Sequence, residues 1–434
     1  MADLKEVRIL VSFQLLVGIG LLVVAALINP WFLESYIVLD GTIERKWPIA
    51  IVELVVLAIA IGFIVIGRKQ VPRPESSRKQ LFAAIALSFA FAFSLVVGEV
   101  FLRFFVSPEL ILEGEKWYEH RWRARQVVVD EQPVDWRYDY DRFDPLYGWL
   151  PKLNYATPAV TTNSLGIRGS REYAFERSPG VDRIVLIGDS FTWGEKTWAR
   201  DIPDNEIFAS LLEQRLPNTE SINLGVHGWG TDQQLIYLRE LGLRFKPDLV
   251  VLGFFEANSM RNGLNFFAYS KPQFELVDGR LELTNTPILD EPEQLESPFE
   301  LPGFYVGALI KKGLNTVLDR TKFRPIEERD EWKLTRAIFE AAKRESEAAG
   351  AEFLLVDIPF GVRRRATPIE NAAAAWAKTT GTHFVSLREQ FVQLPYAEWA
   401  KVNDGHFTAM GHDKTAQALM RYIEEASLLP GVNR

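Results

Sequence analysis

Four short stretches hold residue types that could do nucleophilic chemistry together. Gly188-Asp189-Ser190 follows an apolar run over 184–187. A hydroxyl there sits where a strand gives way to a turn, at the carboxyl edge at which open α/β sheets keep their ligands. Asn223-Leu224-Gly225-Val226-His227-Gly228-Trp229-Gly230 carries glycines that let backbone N–H groups come close to a ligand. Glu256-Ala257-Asn258-Ser259 puts an amide at the exit of a third apolar run. Asn403-Asp404-Gly405-His406 supplies an imidazole with a carboxylate two residues before it, the pattern of a base held in one tautomer. A lone Gly-Asp-Ser serves equally well as a turn cap. The weight lies in the four stretches together.

The elements that must position them alternate as a parallel sheet demands. Strands are expected over 184–187, 221–224, 249–255, 353–358 and 383–387, with helices over 204–216, 233–243, 330–349, 368–379 and 409–426. The run 249–255 is apolar throughout, typical of a strand buried on both faces. The pattern lapses over 260–327, an insertion long enough to act as a lid or partner surface. Within it Asp278-Gly279 marks a two-residue hairpin, and 305–319 reads as a helix. The fold expected is a three-layer α/β sandwich with a mostly parallel sheet, preceded by three transmembrane helices.

The helices ahead of the sheet follow from length and charge. Runs over 9–28, 48–67 and 81–102 carry at most one glutamate each and are about 20 residues long, enough to span a bilayer. The first is too long for the apolar part of a signal peptide and lacks a cleavage site. The loop 68–80 holds five basic residues against one acid, whereas 29–47 holds two against three. The basic loop belongs in the cytoplasm. That puts the N-terminus inside and everything after the third helix outside, with Trp31 and Trp47 as interfacial anchors. Glu53 and Glu99 lie inside these runs, and Arg103 is spaced to pair with Glu99 on one helix face. The domains expected are a three-helix anchor over 1–107, a connector and approach segment over 108–182, and the α/β domain over 183–434.

Composition narrows the classes. The chain of 434 residues has no cysteine, which removes disulfides and thiolate chemistry. Its net charge of −8, without a basic stripe, argues against nucleic acid. No His/Glu pair has metal-site spacing, and the Gly225–Gly230 cluster has the wrong spacing for a dinucleotide. No metal and no cofactor are expected. His227 is placed to shape its loop or touch substrate, and Trp193 and Trp229 to stack on a sugar ring or hold an acyl chain.

The four stretches, in this order and each at a strand end or loop, resemble the blocks of the SGNH hydrolases, or GDSL esterases, over residues 145–425. The resemblance implies Ser190 as nucleophile, His406 as base and Asp404 as the acid that orients it. It also implies an oxyanion hole from the N–H groups of Ser190 and Gly225 and the side-chain amide of Asn258. Two features depart from the usual pattern. The acid stands two residues before the histidine rather than three, and Ser259 replaces an aspartate after Asn258.

The function expected is a membrane-anchored serine esterase or O-acyltransferase of the membrane-anchored bacterial type. It would sit in the bacterial inner membrane with its catalytic domain in the periplasm. Its substrate would be an acyl ester, acetyl first, on an envelope polysaccharide or glycolipid. Its partners would be the lipid bilayer and possible membrane complexes such as a membrane-bound acyltransferase. The alternative is a catalytically silent subunit that docks on a membrane complex.

Overall fold

The computed structural model describes residues 13–27, 29, 46–69, 77–105, 140–195, 197, 200–267, 269–290, 292–293, 305–310, 325–359, 365–395 and 402–431. Residues 106–139 and most of the loops 29–47 and 68–80, including Trp31, lie outside them. The chain forms two compact units: Met1–Tyr118 with Pro298–Arg320, and Glu119–Ser297 with Thr321–Arg434.

The first unit contains helices Phe13–Leu27, Lys46–Lys69 and Ser77–Phe105, at the places where the sequence carries its apolar runs. Among the described residues no helix is long and apolar enough to cross a membrane. The two embedded glutamates are both hydrogen-bonded. Glu53 Oε1 accepts from Asn29 Nδ2 at 2.8 Å. Glu99 pairs with Arg103 at 2.8 Å, as their spacing requires, and its two oxygens also accept from the N–H groups of Tyr305 and Val306 at 3.0 and 2.9 Å. Those amides open the helical turn 305–310 and have no partner within it. Part of the insertion thus belongs with the N-terminal helices rather than with the α/β unit.

The second unit is built on a five-stranded parallel sheet. Its strands are β1 (Asp182–Gly188), β2 (Thr219–Gly225), β3 (Leu249–Phe255), β4 (Glu352–Ile358) and β5 (His383–Ser386), in the order β5-β4-β3-β1-β2. Successive side chains leave a strand on opposite faces, so the sheet sorts its own residues into two cores. Val185 and Ile187 join Val250, Leu252, Phe353 and Leu355 on one face. Helices Thr231–Glu240, Asp330–Ala348 and Pro368–Thr380 contribute to that core. Ile184 and Leu186 join Val251, Leu354 and Val356 on the other, with helices Phe208–Arg215 and Ala409–Glu425. Each large aliphatic side chain buried this way contributes about 1.5–3 kcal/mol. The result is the α/β fold with a parallel central sheet that the alternation demands.

One detail differs from the sequence pattern. The helix expected over 204–216 is divided, because Ile207 is extended between a 3-10 turn, Asp204–Glu206, and the helix Phe208–Arg215. The residues from 140 onward, the end of the connector and the approach segment, pack against the sheet unit. Tyr147 O accepts from Gln233 Nε2 at 2.8 Å, and Trp149 Nε1 donates to His227 O at 3.0 Å. Of the helix expected over 305–319, 305–310 is helical and the remainder is outside the described residues. The hairpin is as expected: Gln273–Val277 pairs with Arg280–Thr284 around Asp278-Gly279, both at positive φ.

The strand order reverses beside β1. Strand β2 lies on one side of it, and the chain then crosses to place β3 on the other. The carboxyl end of β1 is therefore the switch point of the sheet, where a crevice opens between diverging connections.

Candidate active site

Ser190 stands at that switch point. Strand β1 ends at Gly188, Asp189 caps the next turn by accepting from Phe191 N at 3.0 Å, and Ser190 opens the four-residue helix Ser190–Trp193. The turn is tight enough to dictate its neighbours. A Cβ on Gly188 would run into Thr192 Oγ1, and one on Gly225 into the backbone of Thr192 and Trp193. As the first residue of a helix, Ser190 has an N–H with no partner inside it.

His406 reaches Ser190 from the far end of the chain, with Nε2 2.9 Å from Ser190 Oγ. It sits on a two-residue ladder, Asn403–Asp404 against His406–Phe407, turned at Gly405 with φ 76°. The ladder sets Asp404 directly opposite His406 as a cross-strand neighbour. The side chain of Asp404 lies outside the described residues. Phe407 is fully buried and packs edge-on against Phe191 at 4.9 Å, so the hairpin is pinned to the nucleophile's own helix. Thr408 then caps helix Ala409–Glu425 by accepting from Gly411 N at 3.2 Å.

Asn258 begins the short helix Asn258–Arg261, just past β3, and is fully buried. Its Oδ1 accepts from Arg261 Nη1 at 3.0 Å, and the amide also helps keep the neighbouring Asp189 carboxyl ionised. An amide N–H group at such a place is the kind of donor that can meet a charge formed during reaction.

Gly225 is a correction. Its N–H donates to Asn223 Oδ1 at 2.9 Å, and Asn223 Nδ2 donates to Thr192 O at 2.9 Å. The glycine expected to offer an oxyanion donor instead braces the back of the nucleophile turn, where its missing side chain permits the close approach. Of the three donors expected for an oxyanion, the Ser190 N–H and the Asn258 amide are not engaged in this way.

Trp193, Trp229 and His227 are all buried, which for His227 agrees with a loop-shaping place. Trp193 lies between the Arg168 guanidinium at 5.0 Å and Tyr140 at 5.4 Å. Trp229 stacks on Tyr147 at 5.6 Å. His227 Nε2 lies 2.8 Å from Asp141 Oδ1. In this structure all three rings face protein groups. Their partners come from 140–168, a stretch without helical or strand periodicity, and no pattern in the sequence points to them.

Charge beneath the site is carried by Asp189 and Arg261, 3.3 Å apart. Burial pushes the Asp189 carboxyl up and the Arg261 guanidinium down, and each opposes the other's shift. Arg261 escaped the sequence reading although its signal was present, since it follows Asn258 by three residues on one helix. Among the described residues no group of three His, Cys, Asp or Glu side chains could hold a metal ion.

No family model matches the sequence, and no curated protein does. Solved structures that resemble it include TesA, at 14% identity over 56% of this chain and 98% of that one, with a TM-score of 0.33. A lipase/acylhydrolase from Enterococcus faecalis matches at 16% identity over 56% and 95%, with a TM-score of 0.33. Axe2, an acetylxylan esterase from Geobacillus stearothermophilus, matches at 16% identity over 56% and 94%, with a TM-score of 0.32. Likeness of this degree carries no conclusion about activity. The chemistry rests on Ser190, His406 and Asn258 themselves.

Proposed function

We propose that the α/β unit is a serine esterase or O-acyltransferase acting on acyl esters, acetyl first, of an extracytoplasmic polysaccharide or glycolipid. The observation that carries this reading is the 2.9 Å contact between His406 Nε2 and Ser190 Oγ. In the reaction His406 takes the Ser190 proton as Oγ attacks the ester carbonyl. The carbonyl oxygen becomes an oxyanion, met by the Ser190 N–H and Asn258 Nδ2. As the tetrahedral centre collapses, the C–O bond to the alcohol breaks and His406 returns the proton to the leaving oxygen. Water or a sugar hydroxyl then attacks the acyl-serine with His406 again as base, which releases Ser190. Asp404, opposite His406 on the hairpin, is the residue to orient the imidazole and balance its charge.

Hydrolysis and transfer differ only in the second acceptor. The membrane location is supported by the three apolar runs, which extend past the residues whose side chains are described. The outward orientation is supported by the basic loop 68–80. In a bacterial inner membrane this places the site in the periplasm, where an envelope glycan and a membrane-bound acyltransferase would be its partners. A silent docking subunit is disfavoured by the Ser190–His406 contact, which such a protein has no reason to keep.

Glycan acetylation with and without Ser190→Ala tests the substrate class. More acetyl in the variant means esterase, and less means transferase. No change removes envelope acetyl esters as the substrate.

A further inference from the structure

We infer that Arg261 is a positioning residue that fixes the Asn258 amide for the oxyanion, a role that rests on the serine-enzyme reading above. A terminal amide can turn over end for end without disturbing the backbone, and only its partners decide which end is which. Here the deciding partner is Arg261. Its Nη1 lies 3.0 Å from one end of the Asn258 amide, and a guanidinium can only donate. The facing atom is therefore Oδ1, which turns Nδ2 to the opposite side, where the Asp189 carboxylate draws on it as well. Turned the other way, the amide would set its NH₂ against the guanidinium, donor against donor.

The same nitrogen reaches the nucleophile's side of the site. Arg261 Nη1 also donates to Asp189 Oδ2 and to Trp229 O, each at 3.3 Å. Asp189 directly precedes Ser190 and caps its helix. One buried nitrogen thus sets the end of β1, which carries the nucleophile, in register with the end of β3, which carries the oxyanion donor.

Arg261 is itself held. Lys271 Nζ donates to Arg261 O at 3.3 Å and Leu264 O at 3.0 Å, and it forms a fully buried ion pair with Asp232. The next residue, Asn262, accepts from Asp232 N at 3.1 Å and donates to Thr335 Oγ1 at 3.0 Å. Ser259, which stands where the SGNH pattern has an aspartate, turns back to donate to Glu256 O at 2.7 Å. It gives Asn258 no support, so the support comes from Arg261.

A double-mutant cycle on the full chain tests this, with p-nitrophenyl acetate turnover as readout and fluorophosphonate labelling rate in its place if turnover is too slow. Arg261→Met removes the guanidinium. Arg261→Lys keeps a positive charge against Asp189, so that it remains usable if the methionine variant does not fold. Both are expected to lower kcat about tenfold or more with KM nearly unchanged, the signature of a transition-state donor mispositioned. In an Asn258→Ala background either change should alter kcat by less than about twofold, because the group that Arg261 positions is already gone. Equal costs in both backgrounds would make Arg261 a structural residue and overturn the inference. So would wild-type kcat in the lysine variant. A wild type inert to both reagents, or activity surviving Ser190→Ala, overturns the serine-enzyme reading itself and this role with it.

Discussion

His406 Nε2 lies 2.9 Å from Ser190 Oγ, across 216 residues of chain. Nothing local brings the two together. Ser190 is placed by the end of β1, and His406 by a hairpin whose buried Phe407 packs against Phe191, the residue after the serine. Base and nucleophile thus share one aromatic contact, and a shift in either moves both.

Asn258 gives the sharpest kinetic prediction. Replacing it with alanine would remove one of the two proposed oxyanion donors, and it also takes from Arg261 the acceptor 3.0 Å from its Nη1. Turnover should fall by about 10²–10³, with a stability loss of only about 1–3 kcal/mol. Steady-state kinetics and a thermal melt on the same preparation check it. A variant that loses stability in proportion to its activity would make Asn258 a structural residue.

His412 sets an acid limit on the fold. It is fully buried, accepts from Phe208 N through Nδ1 at 3.3 Å and packs edge-on against Phe407 at 5.6 Å. Burial, with the Arg168 and His406 charges adding to it, pushes its imidazole down to about 3. The unfolded chain takes up this proton as pH falls through about 6.5, and the folded protein does not until near 3. Stability from this group is therefore intact above about 6.5 and declines by about 1.4 kcal/mol per pH unit below it. Between pH 7 and 5, Asn in place of His412, which keeps an acceptor for Phe208 N, should lose roughly 2 kcal/mol less than wild type in denaturant titrations. Identical losses would remove His412 as the cause.

The orientation is testable apart from the chemistry. A reporter fused after Arg434 that works only outside the cytoplasm should be active, and one that works only inside should be silent. The opposite pair of results would overturn the three-span arrangement and the periplasmic site.

Much of this was legible in the sequence, for identifiable reasons. Strand periodicity and glycine punctuation are local signals, so the five strands and the residues at their ends could be placed before any contact was known. Ser190 and Asn258 lie at one edge because the carboxyl ends of parallel strands share it, and His406 reaches that edge on a separate hairpin. What escaped depends on partners distant in sequence. The size of Trp193 and Trp229 is visible in the chain, but not that Arg168, Tyr140 and Tyr147 enclose them. The glycine at 225 suggested an amide free for ligand, but only the fold shows Asn223 holding it. Arg261 is the exception, since its spacing from Asn258 was readable and only its significance was not.

The central claim is that Ser190 is a nucleophile activated by His406. A fluorophosphonate probe applied to membranes containing the full chain tests it most directly. Wild type is expected to label covalently, Ser190→Ala not at all, and His406→Ala several orders of magnitude more slowly. Wild type that stays unlabelled, or Ser190→Ala that labels equally, would contradict it.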